Sequence, residues 1–280
     1  SEIYTSNADG TGIRRLTNNL FAEYDPQWSP DGTRIAFARS RDPEEPTEFF
    51  SPTNSDIYMM NADGSNVVQL TQGGTDWHPA WSPDGRKIAY AGWKNGYAVI
   101  SVLDLSSGSN TSSTVGYDVG FNTDPAWLPG GHYITFSSDW YLPDFAPLIF
   151  QVRADGSEAP TLFFPATFDV SNSTSYRLGQ PSWSPDGSRI AFAECEYFYG
   201  CWGSGSIVVM YNSRSGIKRV VETSNIAGIS WSPDGAYIAY SSQTCRLCTP
   251  PSISYVSPDG TQKGLIISNA FSPSWTGSAR

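Results

Sequence analysis

The stretch that decides the fold is "DIYMMNADGSNVVQLTQGGTDWHPAWSPDGRKIAYAG", Asp56 to Gly92. Two apolar runs, "IYMM" and "KIAYA", alternate with the period of a half-buried strand, and each stands next to an Asp-Gly turn. In "SPDG" the proline fixes φ and the glycine accepts a positive φ, which suits a tight hairpin. The middle of the stretch then recurs along the chain, as "QWSPDG" ending at Gly32, "AWLPGG" at Gly131 and "SWSPDG" at Gly187 and Gly235. A sixth copy begins as "PSWTGSAR" at Pro273.

The tryptophans of these phrases are Trp28, Trp81, Trp127, Trp183, Trp231 and Trp275, spaced 44 to 56 residues apart. A period in that range signals an array of supersecondary units. After each of the first five phrases comes a strand such as "RIAFAR" (Arg34–Arg39) or "YIAYSS" (Tyr237–Ser242). A variable stretch, a third strand, a second Asp-Gly or Ser-Gly turn and a short fourth strand complete the unit. Four antiparallel strands make a twisted blade that must stack on its neighbours to bury both faces. The sequence therefore predicts an all-β, six-bladed β-propeller forming one domain over residues 1–280. Its blades are expected at 23–71, 76–115, 122–164, 178–222 and 226–268. The sixth is expected to join 269–280 to 1–18, with N-terminal outer strands closing on a C-terminal inner strand. No "IAF"-type second strand is found for that blade, which leaves three options: an irregular blade, a continuing chain, or a strand supplied by a neighbouring molecule.

The pattern Pro-x-Trp-Ser-Pro-Asp-Gly-x-x-Ile-Ala-Phe, then Ile-Tyr-x-Met-Asn-Ala-Asp-Gly, then Leu-Thr, resembles the TolB-type propeller repeat along nearly the whole chain. The resemblance implies a fold rather than an activity, because such propellers serve as periplasmic interaction domains, as lids on serine peptidases and as carbohydrate-active modules. TolB itself carries a further N-terminal domain, and the peptidase relatives a hydrolase domain; neither is found in this sequence. No G-x-S-x-G elbow is present. Some relatives that cleave uronic-acid oligomers hold a metal in a histidine-rich cluster, whereas this chain has two histidines, His78 and His132.

The net charge of −10 and only four lysines argue against a nucleic-acid binder. No apolar run approaches the roughly 18 residues that span a bilayer, so no membrane insertion is expected. The sequence shows no leader, so Ser1 reads as a mature terminus or an artificial boundary. All four cysteines, Cys195, Cys201, Cys245 and Cys248, lie within two loops. Two local disulfides are the reading favoured over a four-thiolate zinc site, since zinc-knuckle turns are not evident; they point to an extracytoplasmic protein, secreted, periplasmic or at the cell surface.

In such a topology the "SPDG" and "NADG" turns share one face, and the long, varied loops share the other, which is the candidate working face. Trp77, Trp93, Trp140, Tyr141 and Trp202 map there and suit contact with a glycan or a protein. Where the chain enters each innermost strand, the residues before the repeat proline align as Asp25, His78, Asp124, Gln180, Gly228 and Ser272. Two residues earlier stand Glu23, Asp76, Asn122, Leu178, Ile226 and Ala270. Glu23, Asp25, Asp76, His78, Asn122 and Asp124 are thus expected to form a lopsided acidic arc at the mouth of the central channel. Asp25, Asp76 and Asp124 are the ligands if calcium binds; two carboxylates with His78 are the acid and base if the protein is a carbohydrate lyase or hydrolase. No other cofactor is expected. The leading reading is a binding propeller that recognises a glycan or protein. The enzyme is the first alternative, and a homo-oligomer or filament through blade six the second.

Overall fold

A computed structural model describes residues 1–43, 54–106, 111–115, 120–139, 147–163, 177–195, 201–213, 216–243 and 250–277. Among them every regular element is a strand. The N-terminal strands β1 (Tyr4–Thr5) and β2 (Arg14–Arg15) form a two-stranded sheet. Five antiparallel sheets of four strands follow in chain order: β3 (Glu23–Trp28) to β6 (Val68–Gln69), β7 (Asp76–Trp81) to β10 (Thr111–Val115), β11 (Asn122–Trp127) to β14 (Thr161–Leu162), β15 (Arg177–Trp183) to β18 (Lys218–Ile226), and β19 (Gly228–Trp231) to β22 (Lys263–Ser268). Each sheet is a simple meander, so the repeat phrase lies at the hairpin between its first and second strands.

The sequence predicts six blades, and the structure forms five. Residues 271–277 take no strand conformation, because the second strand against which such a segment would pair is missing from the described residues. The N-terminal sheet nevertheless repeats the outer half of a blade. Ile3 N donates to Thr17 Oγ1 (3.0 Å), just as Ile57 N in β5 (Ser55–Asn61) donates to Thr71 Oγ1 (3.0 Å). Ile3 also packs on Ile35, Phe37 and Met60 of the first blade. Residues 271–277 reach both flanking blades: Ser274 Oγ accepts from Trp28 N (3.2 Å) and Trp275 N donates to Ser230 Oγ (3.4 Å).

The repeat tryptophan holds blade to blade. Trp81 Nε1 donates to Gln27 O (3.0 Å), Trp127 Nε1 to Ala80 O (3.1 Å), Trp183 Nε1 to Thr135 Oγ1 (3.0 Å) and Trp231 Nε1 to Ser182 O (3.0 Å). In each case the acceptor belongs to the preceding blade, and all four rings are buried. Trp28 and Trp275, which flank the incomplete sixth position, are only half-buried. Between the tryptophans, the alternating apolar runs supply three buried clusters in which Phe37, Phe136, Phe150 and Phe192 are almost fully enclosed, each worth roughly 1.5–3 kcal/mol of transfer free energy.

The turns of the repeat are held by their own side chains. Asp31 Oδ1 accepts from Ser29 Oγ (2.6 Å), Thr33 N (3.0 Å) and Thr33 Oγ1 (2.8 Å), while Gly32 takes a φ of 67°. Ser29, Ser82, Ser184 and Ser232 each donate to the Asp two residues on, so the "S-P-D" spelling is a side-chain staple. These bonds favour the charged carboxylate and lower Asp31 and Asp186 to about 2.

Candidate functional site at the channel mouth

Four of the inner strands carry a β-bulge at the residue before the repeat proline. The ladder slips between Tyr24 and Gln27, Trp77 and Ala80, Thr123 and Ala126, and Gly179 and Ser182. Within these bulges Asp25, His78, Asp124 and Gln180 hold φ between 47° and 54°, and Ser272 of the last phrase does the same at 53°. Proline bars its predecessor from the right-handed helical region, so the compact backbone a bulge needs is taken on the left-handed side. That region is uncommon outside glycine, with Asp and His among the residues that tolerate it. The fifth phrase carries Ile229 in place of the proline, and its Gly228 does not adopt a positive φ.

The bulges aim the pre-proline side chains into one axial cavity of about 400 Å³, lined by residues from all six phrases. Its loop-face mouth bears Asp25, His78, Asp124, Gln180, Gly228 and Ser272, and its walls below mix the prolines, alanines and tryptophans of the phrases with Gln27, Ser182, Ser184 and Ser230. At the mouth His78 sits between two carboxylates: its Nε2 lies 3.3 Å from Asp25 Oδ2, and its Nδ1 lies 3.0 Å from Asp124 Oδ1. Thr123 Oγ1 also meets His78 Nδ1 (2.8 Å) and accepts from Trp77 Nε1 (3.2 Å). Ser272 Oγ donates to Asp25 Oδ1 (3.2 Å). Phrases one, two, three and six are therefore joined in one polar chain. The Asp124 side chain is 19% exposed and lines the channel; burial pushes its carboxyl above the usual range, His78 and Ser137 pull the other way, and the charge of Asp25 adds to the rise.

The other half of the expected arc faces elsewhere. The bulge between the paired positions breaks the alternation, so the residues two earlier do not follow their neighbours into the cavity. Glu23 is buried and binds Arg39 through Oε1 (2.6 Å). Asn122 donates to Ala98 O (2.7 Å) across the blade junction. Asp76 lies against Gly73 and Gly92, beside the Arg41–Asp56 pair (2.6 Å), and burial raises its pKa. Asp25, Asp76 and Asp124 thus do not meet as a calcium site would need, and among the described residues no group of three or more His, Cys, Asp or Glu side chains is placed to hold a metal ion.

Trp77 is a buried strut rather than a contact surface. Its ring stacks on Phe121 at 6.0 Å and tilts against Trp93 at 6.3 Å. Trp93 closes this trio edge-on to Phe121 at 5.8 Å and remains 38% exposed, which leaves an aromatic shelf beside the mouth. Trp140, Tyr141, Cys245 and Cys248 lie outside the described residues, as do the side chains of Cys201 and Trp202. Cys195, buried at the end of β16 (Arg189–Cys195), is not a free thiol.

Comparison with known proteins meets this geometry at the level of the family. The model of the TolB beta propeller domain matches residues 50–278. The chain belongs to the TolB beta propeller domain family. Within 120 residues it is 32% identical to dipeptidyl-peptidase 5 of Porphyromonas gingivalis, over 40% of the chain and 17% of that protein. Within 127 residues it is 31% identical to a TolB homolog of Chlorobaculum tepidum, over 45% of the chain and 26% of that protein. The chain thus spans only a fraction of the length of these two relatives. TolB from Acinetobacter baumannii superposes with a TM-score of 0.76 over 97% of the chain and 61% of that structure, at 19% identity, a likeness of fold.

The mouth also carries residues outside the arc expected from the sequence. Gln180 and Ser272 are visible once the phrases are aligned on the proline, but there they read as the plainer half of the ring. Thr123 gives no signal, because it belongs to the alternate face of its strand and reaches His78 only through the bulge.

Proposed function

We propose that this chain is an extracytoplasmic, protein-binding propeller that engages its partner across the loop face, around the channel mouth. The observation that carries the reading is the single cavity into which all six repeat phrases open, with a polar chain concentrated on phrases one to three and an aromatic shelf beside it. A concave site with a few convergent polar groups is the usual form of a binding site. The exposed edge of Trp93 adds rigid contact area at small entropic cost. Kinship with the TolB propellers supports protein binding and an extracytoplasmic place. On this reading the ring closes as six blades, the sixth combining the N-terminal sheet with residues 271–277. Cys195 pairs with Cys201 and Cys245 with Cys248, stapling two neighbouring loops.

The test compares retention of proteins from an extracytoplasmic extract on immobilised wild type, a loop-face variant (Trp93→Ser) and a turn-face variant (Asp63→Ser). A partner held by wild type and by the turn-face variant, and lost from the loop-face variant, supports the reading. Loss on the turn-face variant alone would overturn it.

A further inference from the structure

The N-terminal sheet stands where the outer half of a sixth blade belongs. Gly260 lies against Val220 O, Gly10 against Ile266 O and Gly64 against Leu16 O, so each of these turns meets the outer strand of the blade before it. Residues 271–277 lie in the place of the inner strand, and among the described residues no strand stands between them and β1, which pairs with β2 alone. The backbone of β1 is turned toward that position. Leu16 N donates to Ile3 O (2.9 Å), which makes Ile3 and Leu16 a hydrogen-bonded pair. Bonded and non-bonded pairs alternate in an antiparallel ladder, so the N–H and C=O of Tyr4, opposite Arg15, point away from β2. In the five complete blades the second strand reads Ile, small, aromatic, small, as in Ile35-Ala36-Phe37-Ala38 and Ile238-Ala239-Tyr240-Ser241. In two of them its aromatic ring stacks on the cross-strand neighbour, Phe37 on Tyr58 at 5.9 Å and Phe136 on Phe150 at 6.1 Å. Tyr4 is the counterpart of Tyr58, each six residues before its turn glycine, and it is 53% exposed. Because Ile3 packs on the first blade, Tyr4 faces the fifth. There Ile253 in β21 (Ser252–Val256) is half-buried, whereas its counterparts Ile57, Ile149 and Ile207 are fully enclosed.

We infer that the second-strand position of the sixth blade receives an extended segment of a protein partner, spelled Ile-small-aromatic-small, with its large side chains toward the fifth blade. This goes beyond the loop-face site and rests only on the six-bladed closure proposed above. The partner's main chain pairs with Tyr4, its aromatic ring stacks on the Tyr4 ring, and its Ile covers Ile253. Small residues suit the opposite side, because Ile35 and Phe37 of the first blade are already enclosed there with Ile3. Main-chain pairing at an open strand edge supplies the affinity, and the alternating side chains supply the specificity. A segment that splits its large side chains between the two faces meets an enclosed wall with one of them.

The probe is fluorescein-labelled Thr-Arg-Ile-Ala-Phe-Ala-Arg-Ser, a copy of residues 33–40. The control is Thr-Arg-Ile-Phe-Ala-Ala-Arg-Ser, of the same composition, with Ile and Phe on opposite faces. Each is titrated with the whole chain and followed by fluorescence anisotropy. The expected result is saturable binding of the probe, about tenfold or more tighter than the control, with slowed hydrogen exchange at the Tyr4 amide. Tyr4→Asp, at an exposed position, should weaken binding about tenfold or more, and circular dichroism checks that this variant is folded. Equal binding of the two peptides, unchanged affinity in Tyr4→Asp, or binding that leaves the Tyr4 amide unprotected would each overturn the inference. Self-association of the chain alone, seen by light scattering and reversed by the probe, would overturn the partner in favour of a second copy. Binding by residues 1–280 but not by the protein isolated from its source would overturn it in favour of that protein's own residues. Failure of the probe while the Ile3 and Leu16 amides stay protected removes the strand site alone; free exchange of those amides removes the six-bladed closure on which it rests.

Discussion

Replacing Trp127 with Phe and replacing Trp275 with Phe should have opposite consequences, although the two residues are equivalent in sequence. Trp127 is 7% exposed, and its Nε1 donates to Ala80 O at 3.1 Å. Phenylalanine removes that bond, leaving a carbonyl of the preceding blade without its donor, at a cost of about 1 kcal/mol. It also withdraws the larger indole ring from a packed junction, a second loss of about 1–2 kcal/mol through a partly collapsed cavity. The sum, about 2–3 kcal/mol, is a large share of the stability of an ordinary domain. Trp275 is half-buried and its Nε1 is enclosed without an acceptor. Phenylalanine there removes an unsatisfied donor, so the change should be neutral or slightly stabilising, within about 0.5 kcal/mol. Urea unfolding followed by tryptophan fluorescence reads both effects as midpoint shifts at constant slope. If Trp127→Phe costs no more than Trp275→Phe, the repeat tryptophan is not an inter-blade clamp.

Three further outcomes are expected. Gly10 has a φ of 80°, and a Cβ there would run into the backbone carbonyl of Ile266 in β22, so Gly10→Ala should loosen the N-terminal sheet from the fifth blade and deprotect the amides of Ile3 and Leu16 in hydrogen exchange; unchanged protection would contradict that junction. Asp124→Asn should raise stability at neutral pH: a carboxyl raised by burial penalises the folded state above its folded pKa, and the penalty vanishes below the unfolded value near 3.9, so the melting temperatures of variant and wild type should converge in acid. A variant less stable than wild type at pH 7 would refute the burial argument. Ser184→Ala removes the donor to Asp186 and the acceptor for Arg189 N (2.9 Å), costing about 1–2 kcal/mol. Because Asp186 is lowered to about 2, its contribution is present above pH 4 and is lost as pH falls through about 2, so the variant should lose less on acidification than wild type; an identical acid profile would argue against the staple.

What the sequence discloses and what it conceals follow from the kind of interaction. The blade pattern is legible because "RIAFAR" and its copies alternate with period two, and because Pro, Asp and Gly have local turn preferences that owe little to tertiary context. The incomplete sixth position is legible as well, since "PSWTGSAR" departs from the phrase where the others continue. The acidic arc is half legible. Alignment on the proline finds Asp25, His78 and Asp124, but strand alternation would send Glu23, Asp76 and Asn122 to the same side. The bulge that separates them is a backbone event at the residue before proline, and no side-chain pattern announces it. Glu23 and Asp76 then find partners within their own blades, Arg39 being the cross-strand neighbour of Glu23 and Gly92 that of Asp76, contacts set by the folded sheet rather than by the repeat spelling. Thr123 is invisible for the same reason.

The most direct test of the account is photo-crosslinking from single positions. A photoreactive residue placed at position 78 or 93, on the channel mouth and its shelf, should capture one and the same protein partner from an extracytoplasmic extract, while the same residue at position 63 on the opposite, turn-bearing face should capture none. Equal capture from position 63, or none from position 78, would contradict a binding site at the channel mouth.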